Sequence, residues 1–425
     1  MGGLFWITLK MREIVETDNE RLIGLESELM LVDGPGRVFP GADDVLDQSD
    51  SEYITQECTP TVIEVGGPPS SSLDELAMGF MAELRQLDAI VESLGLRAIP
   101  ASEFGPGQAS IMRHDYLRYI FNNLVLGEER DSVARSLCGT HLHLDRETRV
   151  LDQYNVLESI DLAFVFLSSS SYLKGTNTLN CNRVNSYRNY VFGGDLKDYG
   201  QLLNYAESLD QLKQLGRTRL SIWKQMINDE RADGCYDEYN ACWGPIRLRK
   251  KTIEVRNADA NLFSLVMAMA ALYKGVNNYV FDKNLGVEIA VPGQTYGITD
   301  SEITLPSYRD LKQMESEGIK DGLGSDNVFK YLSYLVDVAE NGLPHHERKY
   351  LAPFKTMLKL RKNVADLIYV AAKGFDPSVN GSISPETAQM VSLYMDGLNK
   401  KDRTHPFTGL FPAALERAEH SLTSR

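Results

Sequence analysis

Four short runs of this chain carry charged side chains at matching spacing. Glu26 and Glu28 stand two apart in IGLESELMLV (23–32), His141 and His143 in CGTHLHL (138–144), and Glu254 and Arg256 in KTIEVR (251–256). Glu64 interrupts the apolar TVIEV (61–65). In a strand, side chains at i and i+2 share a face. Each pair therefore sits side by side, while Leu25, Leu29, Ile63, Val65, Leu142, Leu144, Ile253 and Val255 take the other face. Carboxylates gathered with few lysines repel one another unless a cation lies between them. Hard divalent cations take oxygen ligands and bridge phosphates. Several carboxylates, one or two histidines and an arginine are the parts that metal-assisted phosphoryl transfer needs, the arginine taking the moving group in a bidentate fork. The plainer reading is the wet face of a half-covered antiparallel sheet. It suits any one strand alone. Four strands repeating Glu and His, where solvated faces carry Thr, Lys, Ser and Gln, weigh against it.

The elements that must position these residues follow from periodicity. Residues 22–32, 61–65, 138–145 and 251–256 read as strands, and Gly34-Pro35-Gly36 and Gly66-Gly67-Pro68-Pro69 as turns. From Ser72 to Leu94 the apolar spacing becomes helical, with Ser72 and Glu75 as a capping box and Gly95 as the stop. Further helices are expected at 152–171, over most of 202–232, and at 262–279, 327–341, 351–373 and 385–399. Loops are expected at 175–190 and around 283–326. The strands lack a βαβ rhythm, so the expected class is α+β with a mainly antiparallel sheet, helices on one side and a helical C-terminal region. The expected organisation is an N-terminal extension (1–20), a catalytic region (21–325) and a helical region packed on it (326–425).

With 425 residues, 43% of them hydrophobic and 24% charged, the chain is of globular composition. Its 44 basic and 59 acidic residues give a formal net charge of −15, which argues against nucleic acid or an anionic membrane as partner. Five cysteines without a CxxC pair suggest a reducing, cytoplasmic compartment. The apolar run Gly3–Leu9 is too short for a signal-peptide core, and no stretch approaches the ~18 apolar residues of a membrane span.

These motifs, with SSSSYLKGTNT (168–178), NSYRNY (185–190) and the continuation of the last strand as KTIEVRNADANL (251–262), resemble the glutamate–cysteine ligase type 2 family. That family includes carboxylate–amine ligases of bacteria and archaea. The resemblance spans roughly residues 20–265. It implies a fold like the catalytic domain of glutamine synthetase, a curved antiparallel sheet whose concave face holds metals, ATP and glutamate. By matching position, Glu26, Glu28, Glu64 and Glu254 resemble metal-binding carboxylates. His141 resembles the metal- or nucleotide-side histidine, and His143 is its companion. Arg256 resembles the phosphate-binding arginine, and Arg188 is a candidate grip for a substrate carboxylate. Ser27 stands where some relatives carry an acidic residue, and it should point to the opposite face. The implied reaction joins glutamate to an amine, cysteine by default, with ATP and Mg²⁺ (or Mn²⁺), giving a γ-glutamyl amide of the kind used in glutathione biosynthesis. The implied partners are small molecules, with a homo-oligomer left open.

Two rivals stand beside this reading. One is a metal-dependent hydrolase built on His141 and His143, with Asp145 and nearby glutamates completing a zinc site. The other is a homologue that binds nucleotide or amino acid without turnover. No GxxxxGK[ST] occurs, so a P-loop is excluded. Phe104-Gly105-Pro106-Gly107 lacks the third glycine of a dinucleotide fingerprint. Ser221-Ile-Trp-Lys224 and Ser325-Asp326-Asn327 echo two motifs of penicillin-type enzymes without the third. His345-His346 reads as a surface pair, and Cys235 and Cys242 as packing around YDEYNACW.

Overall fold

The alternating segments pair into one antiparallel sheet. The computed structural model describes residues 20–106, 108, 110–170, 179–241, 243–407 and 409–423. Residues 1–19 of the expected extension, most of the 168–178 motif, Gly107 and Cys242 lie outside the described residues. The sheet comprises β1 (Ile23–Val32), β2 (Ile54–Gln56), β3 (Val62–Gly66), β4 (Arg97–Ile99), β5 (Gly139–Asp145), β6 (Ile246–Leu248) and β7 (Thr252–Asp259). Its order is β2-β3-β1-β5-β7-β6, with β4 pairing the far end of β1. The fold is α+β.

The apolar faces decide the register. Leu25, Leu29, Ile63, Val65, Leu142, Leu144, Ile253 and Val255 are all buried in the main core. Each such burial contributes about 1.5–3 kcal/mol. A one-residue slip of β1 would trade Leu25 and Leu29 for Glu26 and Glu28. The summed burial therefore outweighs the repulsion it forces between carboxylates on the opposite face. Ser27 points into the apolar side, 3.4 Å from the Thr140 hydroxyl.

Helix Leu73–Ser93 begins where the capping signal places it, Ser72 accepting from the Glu75 amide. It lies so close to the Gly66–Pro69 turn that a Cβ on Gly67 would come 2.9 Å from the Phe80 backbone. Helix Phe263–Asp282 is buried nearly all round, between the sheet and the C-terminal helices. Helices Asp326–Gly342 and Pro385–Thr404 fall where expected. A second cluster gathers Phe192, Tyr199, Trp223, Tyr236 and Trp243, so the aromatic segment around Cys235 is packing.

Four expectations need correction. The helix expected at 152–171 is α-helical only over Val150–Ser159 and then tightens to 3-10 over Ile160–Val165. The carbonyls of Ser159, Ile160 and Asp161 accept from the side chains of Tyr331, Tyr273 and Asn257, which compete with the helical ladder. The expected loop at 175–190 contains a helical turn, Asn182–Asn185, followed by a π-turn, Ser186–Val191. The stretch around 283–326 holds a small sheet of β8 (Gly286–Ile289), β9 (Gly297–Ile298) and β10 (Glu302–Leu305), then helix Tyr308–Asp321, capped by Ser307. The helix expected at 351–373 divides at Arg361, which is left-handed (φ 51°). Asn363 and Asp366 then form a capping box that starts Val364–Phe375. No helix among the described residues is long and apolar enough to cross a membrane.

Candidate active site

Strand pairing gathers the charged positions into rows on one face. Glu28 lies opposite Glu64. Glu26 lies opposite His141 on its other side. His143, Glu254 and Arg247 line up across β5, β7 and β6. Between Thr140 and Leu142 the ladder to β7 shifts, so that Arg256 and Asn257 oppose His141 alone. Such a bulge re-aims side chains. Arg256 faces the site, while Asn257 turns to the other side and donates to Asp161.

The acidic half holds two trios of potential metal-ligating atoms, each within 4.8 Å of one another: Glu26, Glu64 and His141, and Glu28, Glu57 and Glu64. Glu64 belongs to both and also accepts from the Thr55 hydroxyl at 3.0 Å. The histidines face Glu26: His143 Nε2 is 3.2 Å and His141 Nδ1 3.7 Å from its carboxylate. Burial pushes the Glu26 carboxyl up, but His143 and His141 more than offset it and hold it below the usual range. For the other carboxyls the nearby donors do not offset burial. Burial and then Glu57 push Glu28 up to about 8, and burial pushes Glu57 up. Burial, Glu26, Glu57 and Glu28 drive Glu64 well up. Burial and Arg256 hold His141 down at about 4, so its ring is neutral near pH 7. Burial lowers His143 as well, but Glu26 reverses the sign and its pKa is raised. Crowded carboxylates short of positive charge, with one neutral imidazole, fit hard divalent cations.

The basic half surrounds Glu254. Arg249 approaches it at 3.2 Å, Arg247 at 3.6 Å, and Arg256 pairs with it directly. Burial opposes the charge on Glu254, yet Arg247, Arg256 and Arg249 hold its carboxyl well below the usual range. Burial and Arg256 draw Arg247 down to about 9. Glu254 therefore sits among arginines and belongs to neither trio. Arg188 is placed elsewhere. It forks onto Asp161, with both bonds at 2.8 Å, and lies 3.3 Å from Glu315, with Asn257 on the side of the sheet away from Arg256. His345 and His346 are exposed on the 3-10 turn His345–Leu351.

Three residues of this surface escaped the sequence reading. Glu57 follows a three-residue strand and enters the site because Thr55 pairs with Glu64. Arg247 and Arg249 alternate with apolar residues in IRLR, the same period-two signal that marks the other strands.

No family model and no curated protein matches the sequence. Solved structures do. Glutamate–cysteine ligase from Francisella tularensis, in complex with AMP, superposes with TM-score 0.57 at 13% identity, covering 95% of this chain and 93% of that one. The fold is that of glutamate–cysteine ligase. A bifunctional glutathione synthetase from Pasteurella multocida matches with TM-score 0.55 at 12% identity, over 93% of this chain and 54% of that one. This likeness agrees with the resemblance carried by the motifs of β1, β3, β5 and β7. At such identity it speaks for the fold, and the substrates must be argued from the site.

Proposed function

We propose that this chain is an ATP-dependent carboxylate–amine ligase, with glutamate and cysteine as the first pair to test. The observation that supports this most is the meeting, on one sheet face, of two trios of potential metal-ligating side chains with a cluster of arginines around Glu254. A carboxylate is a poor acylating agent, because its leaving group would be oxide. Its oxygen attacks the γ-phosphorus of ATP, the bond to ADP breaks, and an acyl phosphate forms. The amine nitrogen then attacks the carbonyl carbon, loses a proton and displaces phosphate, leaving an amide. The reaction needs no side-chain nucleophile.

In this reading Glu26, Glu64 and His141, and Glu28, Glu57 and Glu64, would hold Mg²⁺ or Mn²⁺. Bound there, the ions would screen the negative charge of the phosphates. Arg256 offers a guanidinium to the phosphoryl group in transfer, where fixed positive charge in a dry site lowers the barrier. Glu254 holds Arg256 in place, and Arg247 and Arg249 keep that corner net positive. Neutral His141 keeps a lone pair for a metal, and His143 steadies Glu26 from the other side.

Phosphate release from Mg·ATP is the test, with glutamate present, across a panel of amines led by cysteine, and with mass spectrometry of the products. Amine-dependent phosphate with a γ-glutamyl amide is the expected result. Hydrolysis of ATP or of an ester with no dependence on acid and amine would overturn it.

A further inference from the structure

The helical segment after residue 179 brings to the sheet face residues that the strands do not supply. Turn Asn182–Asn185 runs into the π-turn Ser186–Val191, a wide form often found at functional sites. Arg183 and Tyr187, four apart, share one side of it. Burial raises the Tyr187 phenol, and the charges of Arg256, Arg183 and Arg247 draw it back.

Arg183 is 7% exposed, and its Nε is buried without a hydrogen-bond partner. Among the described residues its ion pair is with Asp259, at a long 3.9 Å. Arg183 faces Asp259 Oδ1, while the other oxygen, Oδ2, accepts from the Ser169 amide at 2.9 Å and the Ser170 hydroxyl at 2.6 Å. The guanidinium lies against Gly139, where an added Cβ would come within 2.2 Å of Arg183 Nη2. Gly139 in turn donates its amide to Glu28. The positive charge of Arg183 draws the Glu28 carboxyl down against the upward push of burial and Glu57. A charged, nine-tenths buried donor thus stands against Gly139, whose amide meets Glu28, with a hydrogen bond unmade. Such a donor is costly to leave unmet. An oxyanion arriving from the sheet face would complete it as a charge-assisted fork.

We propose that Arg183 is a substrate-binding residue whose guanidinium receives an oxyanion of a bound substrate, either the carboxylate of the acid or a phosphoryl group of the nucleotide. This rests on the ligase reading above. The test is calorimetric titration of the full chain with L-glutamate and, separately, with Mg²⁺ and a non-hydrolysable ATP analogue, in wild type, Arg183→Gln and Arg183→Lys. Arg183→Gln should lose about 10- to 100-fold in affinity for one probe and little for the other. Loss on the glutamate arm names the carboxylate, and loss on the nucleotide arm names the phosphoryl group. Arg183→Lys, which keeps the charge without the fork, should fall between. Unchanged affinities for both probes in a folded Arg183→Gln would overturn the proposal and leave the ligase reading standing. A wild type that binds neither probe would overturn both. Unfolding of both variants would make Arg183 a structural partner of Asp259 and overturn the proposal.

Discussion

Replacing Glu28 by Gln tests whether the acidic half of the site is built to receive a cation. The Glu28 carboxyl is pushed from an ordinary 4.5 up to about 8, by burial first and then by Glu57, despite Arg183, Arg256 and the Gly139 amide. For an acid whose folded pKa is raised, the contribution to stability is whole below the unfolded pKa. It is lost as pH rises toward the folded one. Between the two, each pH unit costs 1.36 kcal/mol, so the metal-free protein gives up about 3 kcal/mol at pH 7 through this group. Gln keeps an oxygen for the Gly139 amide and carries no charge. Metal-free Glu28→Gln should therefore be more stable than wild type by up to about 3 kcal/mol at pH 7, with the gap closing toward pH 4.5. Glu64 lies opposite Glu28 and is pushed up partly by it, so losing that charge acts on Glu64 in the same favourable direction.

Urea denaturation with a chelator, followed through the buried Trp223 and Trp243, measures this at about pH 5, 7 and 8. Adding Mg²⁺ should invert the order, because the variant has lost a ligand, and ligase activity should collapse in a folded protein. Equal chelated stabilities at pH 7 would refute the crowding argument. Near-normal turnover of Glu28→Gln at saturating Mg²⁺ would refute its place among the metal ligands.

Two further substitutions separate roles that the sequence left joined. Arg188→Ala leaves Asp161 buried without its cation, while Glu315 keeps only Lys312. Breaking such a pair costs about 3–5 kcal/mol. The urea midpoint should fall while the folded fraction keeps its KM for the acid; a raised KM at unchanged stability would restore Arg188 as a substrate grip. Glu254→Gln should retain the Mg²⁺-induced rise in thermal stability, since Glu254 lies outside both trios. It should weaken nucleotide binding, because Arg247, Arg249 and Arg256 lose the charge that gathers them. Loss of the Mg²⁺ response instead would make Glu254 a metal ligand.

The strand faces were legible because period-two alternation holds through β1, β3 and β5 and through β7 as far as the bulge at Arg256 and Asn257. Glu26, Glu28, Glu64, His141, His143, Glu254 and Arg256 fall on the predicted face for that reason alone. Glu57 was not legible. Its strand is three residues long and shows no alternation until Thr55 is known to pair with Glu64. The helix Tyr308–Asp321 was hidden for a different reason: its apolar stripe is sparse, with Leu311, Met314, Gly318 and Ile319 buried beside a buried Glu315 paired to Arg188. The break at Arg361 could have been read from Asn363 and Asp366, whose three-residue spacing is a helix-start signal inside an otherwise continuous run.

The choice between two arginines shows where sequence reasoning stops. Arg183 and Arg188 sit five residues apart in one helical segment, and nothing in residue type separates a substrate ligand from a buried counter-ion. The fold separates them through what each meets. Arg188 finds two carboxylates, Asp161 and Glu315, brought from 27 residues before it and from helix Tyr308–Asp321. Arg183 finds the bare backbone of Gly139 and an Asp259 oxygen at a long 3.9 Å, with its Nε unpartnered. One guanidinium is satisfied by the fold itself, and the other is left with capacity toward the sheet face. That difference is set by tertiary partners distant in sequence, and it is the physical ground for assigning the substrate to Arg183.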